Sequence, residues 1–347
     1  MNNLNQSRGS WIKGLDSIRF ILALIVFLSH LDNPIYEYLV KSSSGALRAL
    51  GMLTGVLFNG IGSVMAFFII SGFVIHYPNK ESRPETIPFL ARRWLRIGLP
   101  LLVIAPIASA FHWFSKIPIW SLYCELTYYT LYPLLIRVRL SWTMKFVISF
   151  VVALVMIGLM APNDLQSLIH QKNLRYSGAY WQLGDLLTWI VGLPCWLLGV
   201  VLAGKIDSYR RSPGRKAIYA WRLLVLGVSV LMNIGKFHLF LSYFFTMNFF
   251  AILLFFWIKN EILYFRDRKP APFLESAGKY SYSLYLCHNV FAHFLLLMMP
   301  LTPFTYLPII IFVVLGSYLF FVVVEFPSHQ LSKFIGKKVG VGRIATA

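Results

Sequence analysis

Leu15-Asp16-Ser17-Ile18-Arg19-Phe20-Ile21-Leu22-Ala23-Leu24-Ile25-Val26-Phe27-Leu28-Ser29-His30-Leu31 is nearly long enough and apolar enough to cross a bilayer, yet it holds an aspartate, an arginine and a histidine. A crossing helix needs about 20 largely apolar residues. The stretch is flanked by Arg8 and Lys13 and lacks a small-residue cleavage site, so it reads as a retained first span and not a removed leader. Nine further segments of the same character follow. The ten cover 15–31, 54–76, 97–114, 119–136, 144–161, 184–203, 222–235, 241–258, 281–299 and 306–325, with only 236–240 between the seventh and eighth. The fold class expected is therefore all-α: a polytopic membrane protein of about ten helices.

Composition agrees. Of 347 residues 58% are hydrophobic and 13% charged, and the mean hydropathy is +0.66. A soluble fold of this length carries about a quarter charged residues, and disorder requires low hydrophobicity, so both classes are excluded. The formal charge of +19 would suggest nucleic acid in a soluble protein. Here the positions of the 32 basic residues decide otherwise. With both termini placed in the cytoplasm, Lys41, Arg48, Lys116, Lys172, Arg175 and Lys236 fall outside, Arg19 lies within the first span, and all the others fall inside. That is the positive-inside bias, a record of topology. Cys124, Cys195 and Cys287 lie within apolar stretches without paired spacing, so neither a disulfide framework nor a zinc site follows. No internal repeat or appended soluble domain is visible, which leaves any chemistry to the helices and their short loops.

Charged and titratable side chains inside spans are costly, and they mark pathways, sites or partners. Arg19 and His30 have the spacing Arg-x10-His. Eleven residues separate their Cα atoms by about 16 Å along a helix and leave them within about 20° of one face, so both can line one cavity. Arg19 is equally placed to snorkel to the interface, and His30 to bond a loop. Trp120-Ser121-Leu122-Tyr123-Cys124-Glu125-Leu126-Thr127-Tyr128-Tyr129 opens the fourth span, with Glu125 at the depth of His30. A histidine and a carboxylate together supply a base and its orienting group; a structural ion pair is the plain alternative. Arg92, Arg93 and Arg96, with Trp94 between them, sit before the third span. They are topogenic, or they bind phosphates by forked hydrogen bonds. The small residues of the second span, Ser71 and Gly72 among them, permit close helix packing. In Tyr280-Ser281-Tyr282-Ser283-Leu284-Tyr285-Leu286-Cys287-His288, the histidine is carried to mid-membrane.

In this order the segments resemble the acyltransferase 3 family of integral membrane O-acyltransferases: Leu15-Asp16, Arg19 and His30; Phe67-Phe68 with Ser71-Gly72-Phe73; Arg92-Arg93, Arg96 and Pro100; Trp120-Ser121-Leu122, Glu125, Tyr129 and Pro133; Ser281 to Leu286 with His288; and Glu325 with Pro327. The resemblance implies one membrane domain over 1–330 and a basic cytoplasmic tail over 331–347. A stand-alone member without a fused extracytoplasmic domain is expected. It implies transfer of an acyl group, most commonly acetyl, from cytoplasmic acyl-CoA to a hydroxyl of an envelope glycan or another extracytoplasmic acceptor, in a bacterial inner membrane. CoA would be a substrate and not a resident cofactor; no metal, redox cofactor or nucleic acid follows. Carried over by position, His30 is the catalytic histidine with Arg19 as its partner, Arg92, Arg93 and Arg96 hold the CoA phosphates, and Glu125 and Tyr129 belong to the Trp-Ser-Leu segment. Asp32 is an alternative orienting group for His30, and Ser71, Tyr129 and His288 are channel or acceptor-side candidates. A multi-pass transporter or flippase is the competing class, though it leaves the co-occurrence of arginine cluster, carboxylate and histidine unexplained.

Overall fold

A computed structural model describes residues 12–344, so Arg8 of the first flank lies outside the described residues. Among them the chain forms helices and no strands. The helices are α1 (Leu15–His30), α2 (Pro34–Val40), α3 (Gly45–Val56), α4 (Gly60–His76), α5 (Thr86–Ala110), α6 (Ile119–Leu135), α7 (Trp142–Met160), α8 (Pro162–His170), α9 (Thr188–Lys205), α10 (Arg215–His238), α11 (Tyr243–Arg266), α12 (Pro272–Gly278), α13 (Ser281–Leu296), α14 (Pro303–Phe320) and α15 (Phe326–Ile344). Each of the ten apolar segments lies mainly on one of them, and the seventh and eighth resolve into α10 and α11. Seven helical stretches among the described residues are long and apolar enough to cross a membrane. The other three segments, α1, α6 and α13, are helices of 16, 17 and 16 residues.

Three boundaries depart from the sequence reading. α5 starts at Thr86 and not at 97, because Pro88 suits a first turn and arginine is a good helix former; Arg92, Arg93 and Arg96 are thereby helical. The segment after α1 folds as the α2–α3 pair, where Gly51 and Gly55 admit Leu39, Val40 and Tyr36 of α2. The division at 330 falls inside α15: a π-helical turn, Phe321–Glu325, joins α14 to α15, and α15 packs along α5. The basic residues of this segment therefore ride on a packed helix.

Burial sorts the bundle into a centre and a rim. In α9 72% of the apolar window is buried, against 11% in α10 and 17% in α7. α4 and α9 cross at glycines that face each other's backbone: a β-carbon on Gly72 would meet the Trp196 carbonyl, and one on Gly199 would meet that of Ile69. Pro194 interrupts the hydrogen-bond ladder of α9. Nearby, Val191 O accepts from Tyr180 Oη (3.1 Å) and Asn248 Nδ2 (3.0 Å), which keeps that carbonyl satisfied away from water. On the rim, Arg222 donates from Nε and Nη2 to buried Glu261 at 2.7 and 2.9 Å, tying α10 to α11.

α1 is held at its start by a residue distant in sequence. Gly14 takes a positive φ of 87° and offers no side-chain cap. Glu275 of α12 supplies it instead: one carboxylate oxygen accepts from Gly14 N (3.0 Å), Ser17 N (3.1 Å) and Ser17 Oγ (2.7 Å). An anion at the first turn also suits the helix dipole. Gly278 lets α12 lie against the Asp16 backbone.

Candidate functional site

A cavity of about 730 Å³ opens between α1, α4, α5, α6 and α13. Along α4 its lining runs from Val64 to Tyr77, about 20 Å at the helical rise. Its mouth is the α4–α5 loop, with Tyr77, Lys80, Glu81 and Ser82. Lys80 is paired there with Asp207 at the end of α9, and this hydrogen bond holds its ammonium above the usual lysine range. The Tyr77 ring lies under the Lys80 ammonium (4.6 Å) and stacks on Phe73 (5.4 Å, 13°).

Deeper in, the lining is polar and charged: Asp16, Arg19, Ser71, Arg93, Arg96, Glu125 and Tyr129. Arg19 pairs with Asp16 one turn before it, Nη1 to Oδ1 3.3 Å. Glu125 accepts from Ser71 Oγ at 2.9 Å and from Tyr129 Oη, and Trp196 Nε1 donates to Ser71 at 3.3 Å. The Arg93 guanidinium lies 5.9 Å from the Tyr129 ring centre and 5.8 Å from that of Phe89. Neither Arg93 nor Arg96 forms an ion pair among the described residues. Both are only partly exposed. Asp16 and Glu125 line the same cavity but stand beyond salt-bridge distance of both, so the two guanidinium forks are left without a hydrogen bond among the described residues, and such forks suit phosphate.

Arg92 has different surroundings. It is exposed, and a β-carbon on Gly336 of α15 would fall on its aliphatic stem. It does not line the cavity. Successive residues on a helix point about 100° apart, so a triplet in sequence need not act as a triplet in space.

The far end of the cavity is closed by Phe67, Phe68, Leu122, Ser121 and Tyr285. Ser121 and Tyr285 join hydroxyls at 2.5 Å, and Phe67 packs edge-on against the Tyr285 ring at 5.8 Å. One turn further along α13 lies His288, completely buried, with its ring 6.2 Å from that of Tyr285. The His288 and His30 rings are 5.2 Å apart, and His288 Nε2 lies 3.4 Å from His30 Nδ1. His30 itself is exposed at the end of α1 remote from the cavity mouth. Neither histidine lines the cavity; Tyr285, the neighbour of His288, does.

The structure thus brings Arg19, Ser71, Arg93, Arg96, Glu125 and Tyr129 into one cavity and His30 and His288 into a second group beside it. Glu125 and His30, matched in depth by sequence, are not hydrogen-bonded to each other among the described residues. Glu125 is engaged by Ser71 and Tyr129, His30 by Val26 O at 2.8 Å and by His288. Asp32 is exposed just beyond His30, without a hydrogen bond to it among the described residues. Tyr285, Ser121 and Lys80 were not singled out by sequence. The first two lie inside quoted motifs, but their pairing joins residues 164 apart.

The acyltransferase 3 model, described as an acyltransferase domain, matches residues 12–324, nearly the whole described chain. No curated protein and no solved structure matches it. The cavity, the arginine pair and the histidine pair all lie on helices within the matched span. The chain belongs to the acyltransferase 3 family and is an acyltransferase of groups other than amino-acyl groups.

Proposed function

We propose that this protein takes an acyl group, acetyl in the first instance, from cytoplasmic acyl-CoA and transfers it to a hydroxyl of an envelope glycan or another extracytoplasmic acceptor. The observation that carries this reading is the pair Arg93 and Arg96, neither in a salt bridge among the described residues, in a long cavity that reaches Tyr285, whose ring neighbours the His288–His30 pair. The phosphates of CoA are the anions this pair would hold. The roughly 20 Å of cavity along α4 suits an extended pantetheine arm, with the thioester arriving at Tyr285 and Ser121. In this reading α1, α6 and α13 cross the bilayer with the seven longer stretches, giving ten crossings and cytoplasmic termini. The membrane is the inner membrane of a bacterium.

The chemistry follows from the placement. His30 takes the proton of the acceptor hydroxyl as its oxygen bonds to the acyl carbon. The carbon–sulfur bond then breaks, and the CoA sulfur leaves with the proton returned by His30. Arg19, held by Asp16, lines the donor path, and Glu125 with Ser71 and Tyr129 forms its polar wall.

The test is thermal unfolding of the detergent-purified protein with acetyl-CoA, beside an Arg93→Ala/Arg96→Ala variant. A ligand at a hundred times its Kd stabilises by about 2.7 kcal/mol. A shift present in the parent and lost in the double variant supports the donor site. No shift with acetyl-CoA, succinyl-CoA or free CoA overturns it and favours transport.

A further inference from the structure

Resting on that reading, we propose that His288 is a positioning residue that, together with Val26 O, fixes the His30 tautomer and shares its Nδ1–H bond during transfer. The argument is one of donors and acceptors. His288 Nδ1 lies 2.8 Å from Tyr285 O and 3.1 Å from Leu284 O. Carbonyl oxygens only accept, so Nδ1 of His288 carries the hydrogen and its Nε2 carries the lone pair. That lone pair faces Nδ1 of His30 at 3.4 Å, and the same His30 nitrogen lies 2.8 Å from Val26 O. His30 Nδ1 therefore meets two acceptors and carries hydrogen as well. The lone pair of His30 is left on Nε2, which makes no hydrogen bond among the described residues and belongs to an exposed ring. The basic nitrogen is thus the one an incoming hydroxyl meets.

The arrangement also anticipates the charged state. When Nε2 takes the hydroxyl proton, the one Nδ1 hydrogen of the imidazolium is already shared between Val26 O at 2.8 Å and His288 Nε2 at 3.4 Å. A buried carboxylate would do the same at the cost of an unpaired charge before the reaction; a neutral histidine, fully enclosed, avoids it. His288 keeps its own proton throughout. The pairing also explains why Glu125 can remain committed to Ser71 and Tyr129.

Two measurements test this. The first is nitrogen NMR of the purified wild-type protein labelled with 15N-histidine, with signals assigned by their loss in His30→Asn and His288→Asn. Both residues are expected as neutral rings protonated at Nδ1. Protonation of His30 or His288 at Nε2 overturns the proposal, and the readout needs neither substrate nor activity. The second is release of CoA thiol from acetyl-CoA in the presence of native envelope material. His288→Asn keeps a donor near the Nδ1 position and loses the acceptor; His288→Gln restores an oxygen near Nε2. The expected result is a fall in kcat on the order of 100-fold in His288→Asn with KM for acetyl-CoA unchanged, and recovery of at least tenfold in His288→Gln. Equal activity of the two variants, or loss through KM, overturns the role. Failure of the parent to bind acetyl-CoA would sink the transfer reading, and the role in transfer with it. An Nε2-protonated His30 in a protein that does bind acetyl-CoA would sink the tautomer assignment alone.

Discussion

Arg92 and Arg93 are adjacent in the chain and meet different worlds: one lies over Gly336 of a packed helix, the other faces a cavity beside the Tyr129 ring. A hydrogen bond to a charged group contributes about 1.5–3 kcal/mol, or roughly ten- to a hundredfold in Kd. Arg93→Ala is expected to weaken acetyl-CoA binding by that factor, whereas Arg92→Ala changes it less than about threefold; calorimetric titration of the two variants checks the contrast. Equal losses would return all three arginines to one phosphate site. At this scale the sequence was legible in kind and not in pairing. Residue type and depth singled out Glu125, His30 and His288, because titratable groups in apolar runs are conspicuous, whereas Ser71 and Tyr129 were marked only by the family resemblance. That Glu125 turns to Ser71 while His30 turns to His288 depends on how α1, α4, α6 and α13 are rotated, and no local pattern encodes that rotation.

Among the elements, the crossing of α4 and α9 is set by two glycines, each facing carbonyl backbone. Backbone cannot swing aside as a side chain can, so an added methyl forces the helices apart. Gly199→Ala is expected to destabilise by about 1–3 kcal/mol. A melting temperature in detergent equal to that of the parent would show that the crossing gives way freely. Gly98→Ala serves as the control, since a β-carbon there meets nothing within 4 Å. The apolar lengths were readable, as each of the ten segments corresponds to a helix. The ends were less so: hydropathy misses the basic first turns of α5, the amphipathic α2–α3 pair and α12, whose seven residues fall below any averaging window. Continuation of α14 into α15 was hidden because a basic sequence reads as a tail until a partner helix covers one side of it.

For the molecule as a whole, the property to test is the two-sidedness that the charge distribution predicts. Cysteine labelling tests it against a quiet background, since Cys124, Cys195 and Cys287 are all buried. Ser43→Cys, between α2 and α3, is expected to react with a membrane-impermeant maleimide in intact cells. Ser82→Cys, at the cavity mouth, should react only after permeabilisation. The reverse pattern would invert the orientation and the donor's side with it. The charge distribution predicts this orientation from sequence, and the labelling tests it; the depth to which the cavity penetrates has no such signature. One feature of α1 bears on how the protein is made. Its first turn is capped by a carboxylate 261 residues later in the chain, and His30 leans on a histidine 258 residues later. At roughly 5–20 residues per second, a ribosome delivers that carboxylate some 13–50 s after the turn it caps. The first helix to be synthesised is therefore among the last to be finished. A truncated nascent chain holds the exposed histidine with its Val26 carbonyl but without His288 or the Glu275 cap, so the histidine pair is completed only when synthesis is nearly finished.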